Sequence, residues 1–222
     1  IMQDTDVVIQ AAATTSGSKD IVNKPYIHTT DNAVMNSYIF RAATEAKVKN
    51  VIFFSCTVMY PSSLQPLKET DLDLNTPLHE RYFGVGWTKL YLEKMAEFYS
   101  GISDTKFTVI RHSNIYGPHD NFGEGGHVIP QLMAKAVKEG PLKVFGDGSA
   151  KRQFLYTPDF ARIILKCILT PPATNKMICA PQEEYTIAEV AKKIKDNIEF
   201  DTSYPNGQPR KYATSLYLET WL

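Results

Sequence analysis

Three short apolar runs constrain this chain most: Val7-Val8-Ile9, Val51-Ile52-Phe53-Phe54 and Phe107-Thr108-Val109-Ile110. Each is β-branched or aromatic and mostly apolar at successive positions, so the strand it predicts must be covered on both faces. A sheet wet on one side would alternate apolar and polar residues instead. Two stretches with helical spacing lie between the runs. Residues 32–47 place Val34, Tyr38, Ala42 and Ala46 on one stripe, and residues 88–99 place Tyr91, Met95 and Phe98 near one face. Strand, helix and strand, repeated, predict an α/β chain with a doubly wound parallel sheet.

After Tyr116 the texture changes. Gly117-Pro118 and the glycines at 123, 125 and 126 break regular structure. A helix is expected over 128–139, a short strand near Val144 and another over 153–156. Pro158-Asp159 opens a helix to about Leu169, and residues 177–180 read as a strand. Thr186, with Glu189 at capping-box spacing, starts a helix over 187–194. Residues 204–210, rich in Pro and Gly, read as a surface loop.

Composition excludes several function classes. The 222 residues carry 24 Lys+Arg against 24 Asp+Glu, so no basic footprint for nucleic acid or an anionic membrane surface is expected. No apolar run approaches the roughly 20 residues of a membrane-spanning helix. Cys56, Cys167 and Cys179 form neither a paired framework nor a C-x-x-C site, which predicts a reduced, cytoplasmic protein. No His, Cys, Asp or Glu spacing predicts a metal site. The turn that cradles a dinucleotide pyrophosphate would be Gly-rich, between a first strand and a helix. The G-x-G pairs here, at 84/86, 123/125 and 146/148, do not stand in that place.

Other pieces do carry a resemblance. Asp6 to Ala12, Asn32, Phe53 to Pro61, Lys89, Arg111 to Pro118, His127-Val128-Ile129-Pro130, Gly146-Asp147-Gly148 with Arg152, Phe154, Tyr156 and Asp159, and 200–211 occur in the order of one family. The chain resembles the extended short-chain dehydrogenase/reductases that act on nucleotide sugars, and within them the GDP-fucose synthase branch. The resemblance implies a Rossmann-like sheet without its N-terminal Gly-rich unit, followed by a smaller C-terminal substrate-binding α/β domain. Residues 1–118 would be a partial dinucleotide-binding domain, and 119–222 mainly a nucleotide-sugar-binding domain truncated at its end. It implies NADP, or NAD, as cofactor, a GDP-linked sugar as substrate, and a homodimer formed through the helices over 32–47 and 88–99. It also implies a longer parent chain, whose first strand, Gly-rich turn and next βα unit precede these residues and whose closing segment begins where the sequence stops at Trp221-Leu222.

Site roles follow from the same resemblance. Ala11, Ala12, Ala13, Ser55, Lys89, Asn114, Ile115 and His127 would line the cofactor. Lys89, His127, Cys56, Thr57 and Tyr82 would carry the chemistry, with His127 as the acid of an epimerisation. Asn114, Lys135 and Arg152 would hold the substrate, the arginine gripping a diphosphate bidentately. The sequence departs from the family at three of these places. Val85 stands four residues before Lys89, where the family has a tyrosine, and the nearest preceding tyrosine, Tyr82, is seven before it. On one helix that separation is about 10 Å along the axis, so Tyr82 reaches Lys89 only if the helix starts after Val85. Cys56 occupies the family's serine position and Val58 its epimerisation cysteine. Plainer readings stand beside these: a solvated Lys89, a structural His127, a loop His119, a Cys56 that is merely a small apolar side chain, a surface-paired Arg152, a solvated Lys135, and Cys167, Cys179 and Trp87 as packing.

Overall fold

A computed structural model of the chain describes every residue except 1, 16–23, 124, 205, 207 and 219–222. Ile1, Trp221-Leu222 and two positions of the 204–210 stretch therefore lie outside the described residues. In chain order the elements are β1 (Val7–Gln10), α1 (Pro25–Glu45), β2 (Asn50–Cys56), α2 (Phe83–Ile102), β3 (Lys106–His112) and β4 (Asn114–Tyr116), then α3 (Val128–Ala136), β5 (Leu142–Phe145), β6 (Lys151–Arg152) and β7 (Phe154–Tyr156). α4 (Thr157–Leu169), β8 (Lys176–Cys179), β9 (Tyr185–Thr186), α5 (Ile187–Ile194) and β10 (Ile198–Asp201) complete the chain.

Four strands form a parallel sheet in the order β1-β2-β3-β8. The uninterrupted apolar runs are explained by what covers them. Val51, Phe53, Phe107 and Val109 pack with Phe40, Ala43, Leu92 and Ala96 from α1 and α2. Ile52, Ile110, Met177 and Cys179 face the other way, onto Phe160, Ile163 and Cys167 of α4. Phe40 sits edge-on to both Phe53 and Phe107, with ring centroids 5.2 and 5.1 Å away. The sheet is thus Rossmann-like, with helices on both faces. Cys167 and Cys179 lie in the core as expected. β8 comes from the C-terminal half of the sequence yet returns to this sheet.

A second core joins α3, α5 and the parallel pair β5–β10 through Leu132, Leu142, Val144, Val190 and Ala191. β4 pairs with β7, and β6 with β9. Thr186 caps α5 with Glu189 in the reciprocal box that the spacing predicts. The Gly146-x-Gly148 pair makes the β5–β6 turn: both glycines adopt positive φ, and a Cβ on Gly148 would fall 2.5 Å from the Phe200 ring. The same turn ends at Arg152.

Three expectations are corrected. α1 starts earlier than predicted and buries His28, Asn32, Asn36, Phe40 and Ala43; the Val34/Tyr38/Ala42 stripe faces out. Tyr91 and Phe98 of α2 and the neighbouring Trp87 are also exposed, while Leu90, Leu92 and Ala96 pack. A hydrophobic stripe cannot by itself say which side of a helix meets the sheet. The 204–210 stretch is not simply a surface loop, because Gln208 is only 1% exposed and its amide donates to the Tyr60 carbonyl at 3.1 Å.

Candidate active site

The carboxyl ends of parallel strands are where such sheets bind ligands. Here that edge presents Gln10, Cys56, His112 and Cys179, and register pairs Cys56 directly with His112. After β1 the chain runs through Ala11, Ala12 and Ala13, all exposed. It is pinned there: the Gln10 amide donates to the Ala12 carbonyl at 3.1 Å, and Asn32 both donates to the Thr14 carbonyl (2.9 Å) and accepts from its N–H (3.0 Å). Asn32 is thus a two-way clamp on the loop of small residues.

Lys89 is not solvated. It reaches from α2 to donate to the Phe54 carbonyl at 2.7 Å, with its ammonium 4.9 Å from the Phe53 ring centre. Burial pushes its pKa down, opposed by Cys56 and Glu93. Thr57 is buried beside Cys56, its N–H donating to the His112 carbonyl at 3.2 Å. The Ser55 side chain, expected at the cofactor, turns the other way: it is fully buried and donates to Glu93 at 2.6 Å. Glu93 also takes a forked pair of bonds from Arg111, whose Nη1 donates to the Tyr60 hydroxyl at 2.5 Å. This network lies beneath the strand ends and holds them in place.

Tyr82 is not a partner of Lys89. Helix α2 begins at Phe83, so Val85 is already helical and Tyr82 is the cap residue, about two turns short of Lys89. Its ring instead lies under the Lys211 ammonium, 3.9 Å from the ring centre, with Arg152 a second cation beside it. Burial pushes the phenol up, but Lys211, Arg152 and Arg81 together outweigh it and leave its pKa below 10.0. Arg152 is 9% exposed and neither it nor Lys211 has a carboxylate partner among the described residues. Burial lowers the pKa of both, so this pair is short of negative charge. Cys56 in turn acts to raise the Lys211 pKa, which joins this cation pair to the strand edge.

Sequence reasoning gave Lys211 no role. Its signal was an Arg-Lys pair closing the Pro/Gly-rich stretch; what it could not supply is the anchoring. Gln208 holds one side, and on the other Gln153 exchanges two 2.9 Å bonds with the Ala213 backbone. Asn114, in β4, donates to the Gln153 carbonyl at 3.0 Å, and Ile115 follows it. Ser113 Oγ is buried without a hydrogen-bond partner among the described residues. His127 is exposed just before α3. His119 is an exposed loop residue at φ 67°. Lys135 leans over the Phe145 ring, 3.5 Å from its centre, and donates to the Lys143 carbonyl at 3.3 Å; burial pulls its pKa down. Phe145 in turn stacks on Tyr204 at 3.9 Å.

The family model of the NAD dependent epimerase/dehydratase family matches residues 1–187. The chain belongs to that family. It is 30% identical over 204 residues to a GDP-L-fucose synthase of Dictyostelium discoideum, covering 86% of this chain and 63% of that protein. It is 29% identical over 242 residues to the GDP-L-fucose synthase of Escherichia coli, covering 97% of this chain and 74% of that one. The crystal structure of a GDP-L-fucose synthetase from Naegleria fowleri bound to NADP superposes with a TM-score of 0.83 at 31% identity, over 94% of this chain and 68% of that one.

Proposed function

We propose that this chain acts as a nucleotide-sugar epimerase/reductase of the GDP-fucose synthase kind, taking a GDP-4-keto-6-deoxy-sugar with NADP(H). The observation that carries this reading is the pair of cations around Tyr82, a buried Arg152 and a half-buried Lys211, with no carboxylate partner among the described residues and with Cys56 close to both Lys211 and Lys89. Two cations that no carboxylate neutralises suit a diphosphate, and a guanidinium can grip it with two parallel bonds.

The residues present also fit a nicotinamide cofactor: the exposed alanine loop admits close approach, Lys89 offers an ammonium, and Ser113 Oγ is a buried group awaiting a partner. Bound there, the cofactor supplies or accepts hydride. Ala11 to Ala13, the Ser55 backbone, Asn114, Ile115 and His127 line it, and Lys89 orients its ribose. Cys56 and Thr57 meet the sugar carbonyl region, Lys135 and Asn114 contact the substrate, and His127 gives the proton that completes epimerisation. Tyr82 belongs with the diphosphate cations. In this reading residues 119–222 mainly form the sugar-nucleotide side, and two copies pair through the exposed apolar faces of α1 and α2. A cytoplasmic setting accords with three free thiols and with no described helix long and apolar enough to cross a membrane.

A second reading, reduction without epimerisation, is favoured by Val58, which has no group to remove a proton beside the carbonyl. One assay separates them. Loss of reduced-cofactor absorbance is followed with GDP-4-keto-6-deoxymannose in D2O. Epimerisation places deuterium on the carbons flanking the carbonyl; reduction alone does not. Binding without oxidation would mark a catalytically silent homologue. Turnover unchanged in Lys89→Ala and His127→Asn would sink the role assignment.

A further inference from the structure

One titratable side chain at the strand edge has no role above: His112. Its Nδ1 lies 2.7 Å from the Ser113 carbonyl oxygen, which can only accept, so Nδ1 carries the hydrogen and Nε2 the lone pair. Nε2 has no hydrogen-bond partner among the described residues. The ring is wedged between Phe54 and Phe160, at centroid distances of 6.2 and 5.7 Å. Around it stand three residues the sequence marks as catalytic: Cys56 by strand register, and Lys89 and His127, whose charges both act on the imidazole. Val85 meanwhile puts no hydroxyl four residues before Lys89, where the resemblance leads one to expect a tyrosine.

We propose that His112 is the acid–base residue of this site, its Nε2 exchanging a proton with the oxygen on the sugar carbon that is reduced or oxidised. The proposal rests on the nucleotide-sugar reading above. In reduction the carbonyl carbon receives hydride from the reduced nicotinamide, and the C=O π pair moves to oxygen. That oxygen bonds the proton held on Nε2, and the N–H pair returns to the ring. The product imidazole is neutral with its hydrogen on Nδ1, the tautomer the structure holds. Oxidation of the alcohol is the reverse, and solvent restores the proton between reductive turnovers.

The surroundings set the direction of tuning. Burial first, then the charges of Lys89 and His127, hold His112 down to about 4, against the Ser113 carbonyl. An incoming diphosphate offsets those positive charges and raises the proton affinity of Nε2 when substrate is bound. Because kcat/KM follows the free enzyme, where this value is about 4, reductive kcat/KM should climb as pH falls from about 8 to about 5, with the oxidative direction nearly flat; Cys56, Lys89 and His127 are the other titratable groups facing the ring.

The test uses the 222-residue chain labelled with 15N-histidine. Its five histidines allow His112 to be assigned by loss of one signal in His112→Gln. Adding oxidised cofactor and a GDP-sugar should shift the His112 Nε2 resonance toward its hydrogen-bonded value; an unmoved resonance overturns the proposal, and this arm needs no turnover. In turnover, His112→Gln and His112→Phe should lower kcat about 100-fold or more with KM within about threefold. The tilt of the reductive profile should vanish with them. Unchanged kcat, or a change in KM alone, would instead make His112 a packing or positioning residue and overturn the proposal. A wild-type chain that oxidises no reduced cofactor with any 4-keto nucleotide sugar defeats the functional reading, while the resonance arm still judges His112 as a ligand contact.

Discussion

At Glu93 a carboxylate is buried in the core side of α2, and among the described residues it accepts bonds from the buried Ser55 and Arg111 and lies 3.9 Å from Lys176. Removing one partner of a buried pair strands the other charge, at a cost of about 3–5 kcal/mol. Glu93→Gln is therefore expected to lower urea-unfolding stability by about 3 kcal/mol, whereas replacing the exposed Glu97, which pairs with Lys94 at the surface, should cost under about 1 kcal/mol. His112 gives a residue-scale pH effect. Its folded pKa, about 4, lies below the usual histidine value of 6.5, so between these pH values the unfolded chain binds more protons than the folded one. Its contribution to stability is present above about pH 6.5 and is lost as pH falls toward about 4. The midpoint of urea unfolding should drop less over that window in His112→Phe than in the unmutated chain.

At the scale of elements, α5 is short, and its cap matters in proportion. Thr186 Oγ1 accepts from the Glu189 N–H at 3.0 Å while the Glu189 carboxylate accepts from the Thr186 N–H at 2.7 Å. Thr186→Ala should cost about 1 kcal/mol in chemical unfolding, and Glu189→Gln less, since a glutamine can still close the box. The elements were legible where local chemistry decides them: this cap, the apolar strands, the Pro158 start of α4. They were not legible where side matters more than period. Val34, Tyr38 and Ala42 repeat as well as any buried stripe, yet the sheet takes Asn36, Phe40 and Ala43, because α1 is turned so that Asn32 and Asn36 bond the loop after β1 and its own backbone.

Across the whole molecule, the turned-out stripe of α1 and the exposed Tyr91 and Phe98 of α2 leave apolar side chains uncovered on two helices that pack together. In the proposed homodimer this face is covered by its copy. Tyr38→Glu together with Phe98→Glu should convert a dimer to a monomer in sedimentation velocity while leaving the far-ultraviolet circular dichroism unchanged; a wild-type monomer at micromolar concentration would refute the pairing.

The candidate site divides along the same line. Lys89, His127, Cys56 and Arg152 could be singled out as candidates because each stands in a local pattern that survives in one dimension. The partnership of Tyr82 with Lys211 was not, since 129 positions separate them and only the anchoring of Gln208 and Ala213 brings the lysine in. By itself the sequence determined the layered α/β class, through apolar runs that need cover on both faces, and the candidate residues at the strand ends. Tertiary structure alone decided which groups meet: Tyr82 with the cations, Ser55 with Glu93, and His112 among Cys56, Lys89 and His127. Burial and electrostatic coupling depend on distance through space, and spacing along the chain does not encode that distance.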